Sequence, residues 1–275
     1  MADDYNEGLN KRKAIYVRYA QAVPLKYGID PTKCIRMIKG KCGNCEKQCP
    51  TGAVNYEDKE STRDINVGSV IISSGFKPFN PSAYIQYSYS KFKNVVTALE
   101  MERILAASGP WMGHLVRPSD EKEPKKIAWL QCVGSRDVNT CDHPYCSSVC
   151  CMYAIKEAVI AKEHSHDGLD AAIFFMDMRT FGKDFEKYYE NAKRTGVRFI
   201  RSRIHTITEQ PDQSLLIEYA TEDGQAKTEL FDMVVLSHGL EVAESSVELA
   251  KKLGIELKST QFVKTASFSP VATNR

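Results

Sequence analysis

The 275-residue chain is predicted to be α/β, a doubly wound nucleotide-binding-type domain preceded by a small cysteine module. Two observations carry the domain. From Lys125 onward, short apolar runs alternate with helix-length amphipathic segments, the order of strand, helix, strand that builds a parallel sheet. Those runs are also rich in β-branched residues and are cut by glycine. The third observation is that the nine cysteines fall into two groups, with none after Cys151. Reduced thiols in such groups point to metal or redox chemistry more than to a disulfide framework.

In order, residues 1–60 hold the cysteine module and a short strand at Ala14–Val17. Residues 61–124 contain Val70-Ile71-Ile72, expected as a buried strand ended by Gly75, and a helix near Val95–Leu105 opened by a Thr97/Glu100 capping box. The polar, proline-containing stretch Pro118–Lys126 is expected to be the domain boundary. Residues 125–242 read as strand Ile127–Cys132, helix Ser147–His164, strand Ala171–Met176, helix Asp184–Thr195 stopped by Gly196, and strand Val197–Ile200. A hairpin follows, Leu215–Tyr219 with Lys227–Leu230 about Asp223-Gly224, and then strand Met233–Leu236, ending at Ser237-His238-Gly239. In residues 243–275, Ser245 with Glu248 is expected to open a helix closed by Gly254. The stretch Val67–Phe76 parallels Phe231–Leu240: strand, small or polar residues, glycine, apolar residue. Such repetition suits a chain leaving one nucleotide domain for another, although two unrelated buried strands would look the same.

The first cysteine group reads C-x7-C-x2-C-x3-C-P, through Cys34, Cys42, Cys45, Cys49 and Pro50. Its tail matches the end of a bacterial ferredoxin run. The two-residue gap lets neighbouring thiolates grip adjacent irons, and Gly43 permits the tight turn. Lys33, Arg36, Lys39 and Lys41 add positive charge. Zinc and free thiols are the rivals. Because the fourth cysteine of a run can ligate another cluster, either Cys34 completes one cluster with the other three or half of a two-cluster module lies elsewhere. The second group, Cys132-x8-Cys141-x4-Cys146-x3-Cys150-Cys151, has no standard spacing. Cys132 ends an apolar run, while Cys146 and Cys150, four apart, are expected to share a helical face that Cys151 adjoins. A metal site and buried structural cysteines both remain open on these residues alone.

Several classes are disfavoured. A net charge of +2 gives no reason to expect nucleic acid or an anionic membrane. No run approaches the ~20 apolar residues of a membrane span, and the polar start Met1–Asn6 is not a signal peptide, so a cytoplasmic site is expected. No G-x-G-x-x-G follows a predicted strand. Cys132-Val133-Gly134-Ser135-Arg136 stands where a Rossmann unit would carry its glycine pair, which disfavours nicotinamide binding there. His114, His143, His164, His166, His205 and His238 show no paired catalytic spacing.

The strings Cys34–Pro50, Gln131–Asp137 and Tyr145–Ala154 resemble the A-type subunit of heterodisulfide reductase and its relatives. The resemblance implies an iron–sulfur flavoprotein with a thioredoxin-reductase-like core and a partial ferredoxin-like module at this chain's N-terminus. By matching positions, Cys34, Cys42, Cys45 and Cys49 are implied to be ferredoxin-insert ligands. Cys132, Cys146, Cys150 and Cys151 are implied to hold an unusual second cluster, with Cys141 a bystander. Gly75 and Gly239 match strand-end glycines beside the flavin. Residues 61–124 would be a remnant of the FAD domain with its linker, and 243–275 a return to it. The FAD fingerprint and a first cysteine run would lie upstream, as in an internal fragment or truncated member.

The resemblance therefore implies an oxidoreductase subunit of anaerobic metabolism, passing electrons between one or two [4Fe–4S] clusters in this chain, FAD in the complete subunit, and partner subunits. Ferredoxin or hydrogenase-type donors are the expected outside partners. The alternatives are a zinc- or cluster-stabilised assembly module without turnover and a stand-alone pyridine nucleotide-disulfide oxidoreductase.

Overall fold

In the computed structural model, which describes residues 1–275, the chain divides into two units. One takes in 1–72 with 108–110, the other 73–107 with 111–275.

In the first unit, β1 (Ile15–Tyr16) pairs antiparallel with β2 (Gly28–Ile29). The Arg12 guanidinium lies 3.8 Å over the Tyr16 ring and 3.1 Å from Asp30, tying this ribbon together. Two short helices carry cysteines: α1 (Ile35–Lys39), ended by left-handed Gly40, and α2 (Asn44–Lys47). The expected buried strand at Val70–Ile72 does not form. Those residues have no regular structure, and Ile71 is 89% exposed. β-propensity expresses fit to a half-buried pleated surface, and no strand of the chain pairs with this run.

The second unit begins with β3 (Lys77–Pro78), then β4 (Val95–Thr97) and α3 (Ala98–Leu105). The Thr97/Glu100 capping box forms: Thr97 Oγ1 accepts from the Glu100 N–H at 3.2 Å, and Glu100 Oε2 from the Thr97 N–H at 2.6 Å. There follow β5 (Lys126–Val133), α4 (Cys150–His164), β6 (Asp170–Phe175), α5 (Phe185–Arg194) and β7 (Arg198–Arg201). The chain then runs through β8 (Ile207–Glu209), β9 (Leu215–Ala220), β10 (Ala226–Phe231), β11 (Met233–His238), β12 (Leu240–Glu241) and α6 (Glu244–Leu253).

β4-β11-β5-β6-β7 form one parallel sheet in that order. Both of its faces are covered, which is why its inner strands β11, β5 and β6 read as apolar runs. On one face α4 packs against β5 and β6, and α3 against β11. Ala128, Leu130, Phe174, Val234 and Leu236 point to the other face. There they meet Tyr84, Tyr87 and the apolar side of the antiparallel sheet β10-β9-β8. At one end, Arg198 bonds bidentately to Asp170 at 2.7 and 3.0 Å and reaches Glu229 at 3.0 Å, while Lys126 lies 2.9 Å from the same glutamate. These charges tie β10 to the parallel sheet.

The hairpin expected about Asp223-Gly224 is β9–β10. Of the two similar stretches only the second forms a strand, β11; β3, directly after the first, pairs antiparallel with β12, Leu240 opposite Pro78. Two expectations shift. The polar stretch 118–126 is folded into the second unit, with Ser119 N–H donating to Asn94 Oδ1 at 3.1 Å, and the units divide after Ile72. The last helix opens from Ala243, which offers no side-chain cap, instead of from Ser245; Gly254 closes it at φ 67°. No helix is long and apolar enough to cross a membrane.

Candidate metal centres

From β5 the chain goes to β6 on one side of the sheet and later to β11 on the other, so the crevice outside their C-terminal ends is a topological switch point. The second cysteine group is built there. Cys132 sits one residue before the end of β5 at φ 62°, where the β5–β11 register slips between Leu236 and His238. Gly134 and Gly239 allow the strand ends to close. A Cβ on Gly239 would stand 2.2 Å from Ser135 Oγ, and one on Gly134 2.2 Å from the Phe79 ring. Gly239 N–H donates to Val133 O at 2.7 Å. Gly75, by contrast, is exposed at φ 79° with open space where a Cβ would go.

Between Cys132 and α4 the loop is held by Asp137, which is 7% exposed. Its Oδ1 accepts from the Asn139 and Thr140 N–H groups at 3.1 and 3.0 Å, and its Oδ2 from Tyr84 Oη and Arg203 at 2.8 Å each. Asp137 and His143 exchange both backbone hydrogen bonds at 3.0 Å. Buried, but bonded by these donors, the Asp137 carboxyl is lowered to about 2. The loop delivers Cys146, then left-handed Ser148 and Val149, and α4 starts at Cys150. Val149 gives no side-chain cap, and the positive end of this 15-residue helix carries Cys150 and Cys151 themselves.

Cys150 is 1% exposed and forms thiol contacts with Cys132 and Cys151. Those two thiols, led by Cys132, hold the Cys150 sulfur well toward thiolate, while sharing with it pushes Cys132 and Cys151 up. Cys146 lies in the loop and not on α4, so the expected shared helical face with Cys150 is absent; a left-handed residue interrupts the helix before it reaches Cys146. Cys146 still stands close enough for its charge to act on Cys132, and its sulfur accepts from Ser148 N–H at 3.3 Å. Cys141 points away: its sulfur donates to Asp137 O at 3.2 Å and lies 3.8 Å from Tyr84 Oη. The rim carries Asp177, paired with both Arg136 and Arg179.

In the first unit, Cys42 (φ 84°) and Gly43 (φ 149°) form the tight turn. Half-buried Tyr56 has its phenol held above its ordinary pKa by desolvation and then by the charges of Cys45, Cys34, Glu46 and Cys42. The backbone N–H groups of Asn44 and Gly43 lower the Cys42 thiol. Cys49 occupies a cup of its own, contacted by Thr51 Oγ1 at 3.5 Å and Ala53 N–H at 3.3 Å, which lower it to about 7.

No three His, Cys, Asp or Glu side chains close around a point as the ligands of one metal ion do. A cubane asks for something else, since each thiolate binds a different iron and the sulfurs stand apart. The second group fits that demand chemically: an all-sulfur soft donor set, with Cys132, Cys150 and Cys151 buried at a strand end and a helix N-terminus, Cys146 half-buried, and two arginines at the rim. Asp137, Asp177, Arg179 and Tyr56 were not singled out from sequence. The signal for Asp177 and Arg179 was a charged pair directly after an apolar strand, where switch-point residues emerge.

No protein-family model matches the chain. It is 42% identical over 265 residues to the A-type iron–sulfur subunit of CoB–CoM heterodisulfide reductase from Methanocaldococcus jannaschii, covering 95% of this chain and 39% of that protein. To the A-type subunit of the H2:CoB–CoM heterodisulfide, ferredoxin reductase of Methanothermobacter thermautotrophicus it is 37% identical over 270 residues, covering 97% and 40%. To a protein of Archaeoglobus profundus named as similar to the A-type subunit of heterodisulfide reductase it is 36% identical over 299 residues, covering 94% and 42%. The chain spans about two fifths of the length of the curated relatives it matches. The resemblance drawn from the cysteine strings is borne out: the chain is a homologue of the A-type subunit of heterodisulfide reductase.

Proposed function

We propose that this homologue of the A-type heterodisulfide reductase subunit is an iron–sulfur electron-transfer segment of a heterodisulfide-reductase-like complex, part of an oxidoreductase and carrying two cluster sites. The observation that carries the reading is the meeting of Cys132, Cys150 and Cys151 at a strand end and a helix N-terminus, with Cys146 at the rim. When bound, the clusters supply one-electron chemistry. The chain's own residues do the rest. Cys132, Cys146, Cys150 and Cys151 hold one cluster, the α4 N-terminus and the rim arginines offset its negative charge, and the burial of Cys132, Cys150 and Cys151 excludes water. Cys34, Cys42 and Cys45 hold a second cluster beside Tyr56, and the separate setting of Cys49 supports its serving a further cluster completed by cysteines of another run.

FAD belongs, on this reading, to the complete subunit, with Gly75, just before β3, and Gly239, just before β12, as the residues expected beside it. The partners are the other subunits of the complex and a ferredoxin or hydrogenase-type donor. That certain relatives are named as ferredoxin reductase or ferredoxin-dependent subunits supports this partner class.

Anaerobic reconstitution with iron and sulfide quantitation tests the reading. Cys150→Ala should lose about one cluster's iron and sulfide, and Cys141→Ala should keep the wild-type content. Zinc without acid-labile sulfide in the wild-type chain would overturn it in favour of an assembly module.

A further inference from the structure

The rim of the second cysteine group carries a feature that cysteine ligation does not use. Asp177, just past the end of β6, holds two arginines at once: Arg136 from the loop after β5, and Arg179, whose Nε is 3.3 Å from Asp177 Oδ2. The Arg179 guanidinium faces the Cys146 sulfur, and its backbone N–H is directed at the Cys151 sulfur. Arg136 acts on Cys132. Cys151 Sγ also lies 4.0 Å from the Asp177 carbonyl oxygen. One short segment thus contacts Cys151 and bears on two further sulfurs, Cys146 through Arg179 and Cys132 through its partner Arg136.

We propose that Arg179 is the charge-compensating residue of this centre and that the Arg136–Asp177–Arg179 brace sets how readily the centre accepts an electron. The inference rests on the cluster reading above. Reduction adds one electron and one unit of negative charge to a buried, sulfur-rich site; no bond breaks and no proton need move. A cation and an N–H group facing the ligand sulfurs stabilise the more negative, reduced state, and a neighbouring carboxylate opposes it. Arg179 is 31% exposed, so water screens part of its effect. Its planar fork spans Asp177 and Cys146 in a way a lysine ammonium reproduces only in charge.

The test is a potentiometric titration of the reconstituted full chain, followed by low-temperature EPR, with iron and sulfide measured for every variant. Arg179→Gln should lower the midpoint so that the reduced-to-oxidised ratio at a fixed potential falls about tenfold, ~59 mV for one electron. Arg179→Lys should recover part of that loss. Asp177→Asn should move the midpoint the opposite way, because it removes a negative charge. The opposite signs separate charge compensation from a bracing role, under which both variants would shift or lose the centre alike. An unchanged midpoint in Arg179→Gln, or shifts of the same sign in Arg179→Gln and Asp177→Asn, refutes the proposal while the cluster reading stands. If Arg179→Gln fails to assemble the cluster, Arg179→Lys and Asp177→Asn still decide the sign. A wild-type chain that takes up no iron and sulfide at Cys150 refutes the cluster reading itself.

Discussion

Replacing Asp137 by Asn probes the latch that holds the cysteine loop. Asn keeps an acceptor for the Asn139 and Thr140 N–H groups if its carbonyl takes the Oδ1 position. Its NH2 then faces Arg203, another donor, and Tyr84 Oη, which must turn to accept. The carboxyl's folded pKa of about 2 against an unfolded value near 3.8 corresponds to about 2 kcal/mol, at ~1.4 kcal/mol per pH unit. Part of this is lost to screening, since the Arg203 side chain is 55% exposed. The donors left facing Asn add a cost of similar size, about 1–3 kcal/mol. The expected loss is about 2–3 kcal/mol at pH 7. Because the folded pKa is depressed, this contribution is complete above about pH 4 and disappears as pH falls toward 2. Urea unfolding of the cluster-free chain at a series of pH values measures it: the gap between wild type and Asp137→Asn should be constant from pH 7 to about 4 and narrow below that, leaving the pH-independent cost of the mismatched donors. A gap under ~0.5 kcal/mol at pH 7, or one that does not narrow in acid, would refute the latch as described.

In the first unit, Cys45→Ala should remove one cluster's iron and its reduced-state EPR signal, and an unchanged signal would remove Cys45 from the ligand set. The chain lacks the glycine-rich loop that places a pyrophosphate at a helix N-terminus. It should therefore be purified with little or no FAD, and a stoichiometric flavin spectrum would contradict this. Because Ile71 is 89% exposed, Ile71→Asn should change the stability of this chain by less than ~0.5 kcal/mol in urea unfolding, where a buried strand residue would cost several times more. Gly239→Ala, with its Cβ forced against Ser135 Oγ, should cost ~1–3 kcal/mol by the same assay, and a neutral result would show that the strand ends separate easily.

Local chemistry made much of this protein legible in its sequence. The inner strands of the parallel sheet, β11, β5 and β6, are buried on both faces and so are written as apolar runs. The α3 capping box, the Asp223-Gly224 hairpin and the helix stops at Gly196 and Gly254 are short-range devices whose residues lie within a few positions of one another. The two cysteine groups, and the separateness of Cys141, were visible as spacing and resemblance. Tertiary structure decided what depends on distant partners. Val70-Ile71-Ile72 has the composition of a strand but no neighbour to pair with, and a strand exists only as a member of a sheet. Cys146 reaches its group through a loop and not along a helix, because left-handed Ser148 breaks the phase that the spacing implied. Asp137 meets Tyr84 and Arg203 across 53 and 66 residues, and Arg136 meets Asp177 across 41. A charge pattern read along the chain gives no sign of such pairs, because only the folded sheet brings their strand ends to the same crevice.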